Sequence, residues 1–302
     1  MRRAASILSL AFVLMTAATA RADEMDITLS RLTVGDTSGR NDAAYGALIS
    51  QLGAAIAAPS LAPARTLGAR HFYIGVENVL TNLDEEGLAG GVPYWQLGTV
   101  GDSEATRAAG NSFAASLSNF TRFSFRKGLP FGIELGASAG HAHDTSLFLW
   151  SAEAKIALLE GYRRRWPAFL PDVALRGAVT TISGNSQLSL TVPLAEVIVS
   201  KGIRVGADTV LTPMVTAQMM WTIARTGVVR LVSTGNTGVD EVFPDLNGRR
   251  VRMSAGAQLR YRMFTFAGSF RFDVTDPGAR DSLVPDDVAR QWNLDLGVGV
   301  TY

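Results

Sequence analysis

The sequence predicts an all-β chain: a closed antiparallel up-and-down transmembrane β-barrel of about ten strands, with eight to twelve open, and a short helical segment before it. Three observations predict this. Apolar and polar residues alternate with period two through most of residues 69–302. Short turns and long loops alternate between these segments, as a meander demands. The end of the chain carries the pattern unbroken, with Trp292, Leu294, Leu296, Val298, Val300 and Tyr302 against Asn293, Asp295, Gly297, Gly299 and Thr301.

Composition narrows the class. The chain of 302 residues is 47% hydrophobic and 18% charged, with 30 Gly and no Cys. It is too apolar and too weakly charged to be disordered. Without cysteine there is no disulfide scaffold, zinc ribbon or thiol nucleophile. A net charge of +1 argues against a nucleic-acid partner. No phosphate-binding loop, metal motif or cofactor motif is present, so no cofactor is expected.

Residues 1–22 read as an export signal. Arg2 and Arg3 precede an apolar run, and Ala20-Arg21-Ala22 offers small residues at a cleavage site. Its removal leaves 25 basic residues against 27 acids, a nearly neutral exported chain. Residues 23–68 then form an N-terminal segment, and 69–302 the barrel.

Within 23–68, Asn41 or Asp42 caps a helix over about 41–57. Tyr45, Leu48, Ile49, Leu52 and Ile56 follow helical spacing, and no charge occurs from Ala43 to Ala64. Pro59 and Pro63 end it. Such a helix is ill suited to free water. It is read either as a plug in the lumen or as a helix against the barrel rim or a partner.

Strands are expected at about 72–80, 112–126, 131–140, 148–158, 173–181, 187–199, 203–221 and 251–263, then from Phe264 to Asp273, and at the C-terminus. Ten residues at about 3.3 Å, tilted about 40°, span roughly 25 Å, the height of a membrane apolar band. Trp150, Trp221 and Trp292 fall near outer strand ends and Tyr302 at the opposite edge, the positions of an aromatic girdle. Short turns are expected near Lys127–Pro130, Ser200–Gly202 and Tyr261–Phe264, and long loops at about 82–110, 222–249 and 274–290. The stretch 160–171 is long for a turn, and 203–221 is too long for one crossing. Charges facing water also suit a lipocalin-like exterior; the terminal aromatic and the girdle positions decide for a membrane barrel, whose unpaired backbone groups tolerate only closure.

The polar faces place Arg70, Glu77, Glu134, Glu153, Lys155, Arg176, Arg252, Arg260, Arg271 and Asp273 inside the barrel. A lumen of this size has little spare room once such side chains meet, so a wide porin is not expected. One wall carries a phase slip: Leu188, Leu190, Val192 and Leu194 are even, Val197 and Val199 odd. With Pro193, Glu196 and Pro213 this reads as a β-bulge, needed for curvature or forming a side exit for an apolar solute.

His141, His143, Asp144 and Ser146 cluster in an outer turn. No nucleophile elbow surrounds Ser146, so a lipid hydrolase is a remote reading and metal binding by the His pair another. Asp276, Asp281, Asp286 and Asp287 make the last loop acidic, read as a solvated loop or as divalent bridging to lipopolysaccharide.

Residues 292–302 resemble the assembly signal of bacterial outer-membrane β-barrels. That resemblance implies lipid, lipopolysaccharide and the barrel-assembly machinery as partners, and both termini in the periplasm. The helix at 41–57, the passage from Pro59 to Pro63 and the region around Pro193 resemble, more distantly, the long-chain fatty-acid transporter family, which combines a helical hatch with a kinked wall strand. The Asn-Pro-Ala segment of that family is absent here. Two functions follow as expectations: passage of a small, apolar solute with the helix as plug, or a structural or adhesive barrel whose long loops bind partners.

Overall fold

Each alternating segment forms a strand whose apolar members point away from a common axis, because one face meets lipid and the other a lined interior. The computed structural model describes residues 25–34, 39–83, 88–89, 92–100, 111, 116–160, 170–231, 238–279 and 281–302. The barrel strands are β1 (Phe72–Asn82), β2 (Leu117–Leu129), β3 (Ile133–Ala142), β4 (Phe148–Leu159), β5 (Asp172–Ser183), β6 (Leu188–Ser200), β7 (Thr209–Thr226), β8 (Leu246–Tyr261), β9 (Phe264–Asp273) and β10 (Trp292–Thr301). Each pairs antiparallel with its neighbours in sequence, and β10 returns to β1 in a register that sets Val298 opposite Val76. The ring of ten is closed and leaves no edge.

Phe125, Leu135, Ile156, Leu175, Val197, Val215, Met253, Phe266 and Val298 are exposed on the outer face. Arg122, Arg252, Arg271 and Asp295 are fully buried inside. Among the described residues no helix is long and apolar enough to cross a membrane.

The two mouths differ. The described residues between β1 and β2, between β7 and β8 and between β9 and β10, with the tight turns 143–147 and 184–187, gather at one, the loop mouth. The turn at Pro130–Gly132, the turn 262–263 and Tyr302 lie at the other, the turn mouth. Residues 1–22, and Arg163, Arg164, Arg165, Trp166 and Pro167 of the expected long turn, lie outside the described residues.

Two expectations are corrected here. Ser200–Gly202 is not the turn: pairing continues through Ile203↔Leu211 and Arg204↔Val210, and Val205 N–H donates to Thr209 O at 3.0 Å. The overlong 203–221 is thus the far end of a hairpin at the turn mouth plus most of β7. Nor is there a bulge at Ala195–Glu196. The register runs without a step from Asp172↔Ser200 through Arg176↔Glu196 to Val179↔Pro193, and on the other side from Met214↔Ser200 to Thr226↔Leu188. Leu188, Leu190, Val192, Leu194, Glu196 and Ile198 all point inward. The apolar phase changes because the surroundings change along β6: Leu188 to Leu194 face an apolar cluster toward the loop mouth, and Glu196 faces Arg176 nearer the turn mouth. The wall irregularity lies elsewhere, between β4 and β5 at Ala157–Leu159. Pro193 stays in register, and Pro213 faces outward while its carbonyl accepts Lys201 N–H at 3.1 Å.

The segment before β1 fills the loop half of the lumen. Helix α1 (Asp42–Ile56) is buried from Ala44 to Ile56 on every side, as a chargeless helix must be. It belongs to the same apolar cluster as Leu190, Val192, Met220, Ala224 and Phe243, and so stands inside the barrel. Gly46 and Gly53 permit the close fit: a Cβ on Gly46 would lie 2.0 Å from the Leu283 carbonyl oxygen, and one on Gly53 2.5 Å from Thr222 Oγ1.

The chain threads the barrel in one direction. Met25 N–H donates to Asp144 O (2.9 Å) and Leu29 N–H to Gln187 Oε1 (3.1 Å), both at the loop mouth. After α1 an extended stretch reaches the turn mouth, where Gly128 N–H donates to His71 O at 3.2 Å, and β1 begins. Met25 and Tyr302 therefore lie at opposite mouths, and the N-terminus itself lies outside the described residues.

Candidate functional site

The candidate site is the lumen and the segment that fills it. Asn41 caps α1, its side-chain oxygen accepting Ala44 N–H at 3.0 Å. Tyr45 stacks on Phe243 with ring centroids 4.7 Å apart. Arg40 ties the helix start to the loop mouth, donating to Val242 O at 2.7 Å and lying 3.7 Å from Glu241.

The end of α1 is held differently. Its last turn carries no basic residue of its own, and Pro59 prevents continuation. The final carbonyls of a helix lack partners and carry partial negative charge. Here the wall supplies cations. Arg252 donates to Ala54 O at 3.0 Å, Arg122 to Ile56 O, and Arg271 to Ala58 O at 3.1 Å. Strand β2 and the β8–β9 hairpin, distant from one another in sequence, converge on the end of α1 and the residues just past it.

These arginines belong to a belt of charge that lies toward the loop mouth on β8–β10, where Asp273 ends β9, and toward the turn mouth on the opposite wall. Asp273 receives Arg250 (2.8 Å) and Arg252 (2.7 Å), and Asp295 receives Arg271 (2.9 Å). On the opposite wall Arg126 meets Glu77 at 3.2 Å, Arg176 bridges Glu153 and Glu196, and Lys155 meets Glu134 at 3.0 Å. Buried ions are tolerated only when paired in this way.

The extended stretch after α1 is satisfied by the same layer. Ser60 donates to Glu196, Ala64 N–H to Ser200 Oγ (2.9 Å) and Leu67 N–H to Glu134 Oε2 (2.9 Å). Lys155 Nζ donates to Pro63 O at 2.9 Å. Beyond it a cavity of about 690 Å³ opens at the turn mouth, lined in part by Arg65, His71, Phe131, Arg204, Thr212 and Arg260.

Glu77, Glu134, Glu153, Lys155, Arg176, Arg252, Arg271 and Asp273 point inward as their alternation demands; Arg260 reaches the cavity at the rim. Arg70 does not: it is exposed and precedes β1, where no strand imposes a face. Glu196, read as part of a bulge, is an inward partner of Arg176 at 2.8 Å. Arg122, Arg126, Arg250 and Asp295 are further lumen residues. The first two alternate with Phe123 and Phe125, a signal present in the sequence. Trp150 and Trp292 face outward, Trp150 donating to Ser183 Oγ at 2.9 Å and Trp292 stacking 5.8 Å from Phe270; Trp221 shares the outward phase and Tyr302 is exposed at the turn mouth.

The outer-turn cluster does not assemble a hydrolytic site. Ser146 Oγ donates to Asp26 Oδ1 (2.8 Å), anchoring the N-terminal segment, while His143 Nε2 lies 2.8 Å from Thr121 Oγ1 and His141 packs edge-on to Phe148. Among the described residues no group of three His, Asp or Glu side chains is placed to hold a metal. In the last loop Asp276 takes Arg290 at 2.7 Å, which holds its carboxyl below the usual carboxylate range, and Asp287 takes Tyr94 at 3.3 Å.

The closed ring, outward apolar wall and inward charges define a β-barrel of the outer-membrane type. No family model and no curated protein matches the chain. Among solved structures it is similar to Ail, the attachment invasion locus protein of Yersinia pestis, at 9% identity and TM-score 0.28, covering 77% of this chain and 98% of that one. It is also similar to the N-terminal β-barrel domain of Pseudomonas aeruginosa OprF (12%, TM-score 0.29, 76% and 97%). A third is the translocator domain of the autotransporter NalP from Neisseria meningitidis (10%, TM-score 0.36, 77% and 87%). At these identities the likeness is one of fold alone.

Proposed function

We propose that the protein is a gated barrel of the bacterial outer membrane, its turn mouth and C-terminus in the periplasm, that passes a small solute when residues 42–68 leave the lumen. One observation carries this reading. The loop half of the lumen is filled by a separate helix, not by the wall's own side chains, and that helix ends on hydrogen bonds to wall arginines. A helix with its side chains is about 10 Å across, so its departure leaves a passage of that width. A side exit for an apolar solute is not part of the proposal, since β6 has no break. The partners implied are lipid on the apolar belt, lipopolysaccharide at the loop rim and the assembly machinery at β10.

The test is conductance in planar bilayers. The full chain should be closed, and a variant lacking residues 23–64 should conduct. A cysteine pair at Tyr45 and Phe243, clean in a chain with no Cys, should hold the barrel shut when oxidised and release it when reduced. A folded deletion variant that stays closed overturns the reading.

The sealed loop mouth favours a second reading. Met25, Ile27, Leu29 and Leu32 pack with Trp95 and Leu147 into a continuous apolar cap, as suits a structural or adhesive barrel. Loss of surface binding on loop deletion, with permeability unchanged, selects it.

A further inference from the structure

We propose that the turn-mouth cavity binds a small organic anion, a carboxylate or phosphate on an apolar body, held by Arg65, Arg204 and Arg260. The volume of about 690 Å³ falls within the range of small-molecule sites. Its charge is lopsided. Five cations line it (Arg65, Arg126, Lys155, Arg204, Arg260) against two carboxylates, Glu134 and Asp172.

The pairing is uneven too. Arg126 is engaged by Glu77 and Lys155 by Glu134. Arg65, Arg204 and Arg260 have no ion pair among the described residues, although other surface arginines do: Arg225 meets Asp245 at 3.2 Å, Arg262 meets Asp208 at 3.0 Å and Arg290 meets Asp276 at 2.7 Å. The three unpaired guanidiniums come from separate stretches: the lumen segment, the hairpin beyond β6, and the end of β8. A concave, low-dielectric wall concentrates their potential, and guanidinium forks match carboxylate and phosphate oxygens.

The rest of the lining indicates the ligand's other end. Leu67, Leu129, Pro130, Phe131 and Val210 share the cavity, and Phe131 is 86% exposed. Phe131 sits there because the turn holds it at φ +67°, a conformation unusual for a side-chain-bearing residue. An exposed ring beside unpaired cations suits a ligand with one apolar and one anionic end. The site exists with the lumen closed, so it stands apart from the gating proposal: binding to the intact protein tests one, conductance of the deletion variant tests the other.

The experiment is titration calorimetry on the full chain in detergent, with benzoate, phenyl phosphate and the neutral analogue benzyl alcohol. Benzoate, phenyl phosphate or both should bind saturably, the tighter one identifying the headgroup, and benzyl alcohol should not. Arg65→Gln, Arg204→Gln and Arg260→Gln should each weaken binding about tenfold, and the triple variant should abolish it. Arg225→Gln, at the other mouth, should leave binding unchanged. All four positions are exposed or at a rim, so folding, read by the melting midpoint, should be unaffected. Equal binding of benzyl alcohol, binding retained in the triple variant, or no binding of either anion overturns the proposal.

Discussion

Arg252, wholly buried on β8, donates to the carbonyl of Ala54 in α1 at 3.0 Å while its other side meets Asp273 at 2.7 Å. One side chain thus couples the wall's charge layer to the segment filling the lumen. Arg252→Ala leaves a helix carbonyl without its donor and Asp273 with Arg250 as its one remaining ion partner, beside the Gln291 N–H that donates to it at 3.0 Å. We expect a loss of about 3–5 kcal/mol, the range for breaking a buried ion pair, read as a lower urea midpoint of the refolded barrel. Adding Asp273→Asn should recover little, because Arg250 then loses its partner as well. An unchanged midpoint in Arg252→Ala would show that the contact contributes nothing.

The fit of α1 should depend on its two tight glycines in different degrees. A methyl at Gly46 meets the backbone of Leu283, which cannot rotate away, whereas one at Gly53 meets the Thr222 side chain, which can. Gly46→Ala should therefore cost more than Gly53→Ala, with overpacking typically about 1–3 kcal/mol. Thermal melts of the two variants give the order, and the reverse order would place the helix elsewhere.

Threading makes a topological prediction. Val34, 54% exposed, belongs to the loop-mouth segment, and Asp208, exposed, to a turn-mouth hairpin. In a chain without native cysteine, Val34→Cys should react with an impermeant maleimide on intact cells. Asp208→Cys should react only after the outer membrane is permeabilised. Equal labelling of both on intact cells contradicts opposite mouths.

Gln218 on β7 is buried, and neither amide atom has a partner among the described residues. Leaving such a group unsatisfied costs about 1–3 kcal/mol. Gln218→Met, of similar length, should raise the melting midpoint; a fall would mean that lumen water satisfies the amide.

Much of the wall was legible in the residues. Phe264, Phe266, Phe270 and Phe272 alternate with Thr265, Ser269, Arg271 and Asp273, and they lie outside and inside as written, because a strand gives each neighbour the opposite face. The hairpin after β6 turns several residues later than expected, because Gly202 stays within the paired stretch and Gly206 and Asp208, also turn residues, lie in the actual turn. The bulge expected at Glu196 is absent for a deeper reason. A change of apolar phase marks a backbone irregularity only if the surroundings are uniform along the strand. Around β6 they are not, because Leu190 and Val192 face α1 and Glu196 faces Arg176.

The strands and their two faces are written in the residues themselves, because period-two apolarity is a local property that each strand carries alone. So is a helix unfit for water, since no charge occurs from Ala43 to its end at Ile56. Where that helix goes depends on contacts between distant parts of the chain. The space inside the ring is bounded by ten strands at once, and Arg122, Arg252 and Arg271 meet the end of α1 only after β2, β8 and β9 have been brought round the same axis. The direction of threading is likewise a contact between distant parts, Met25 with Asp144 at one mouth and His71 with Gly128 at the other, and no local pattern encodes it.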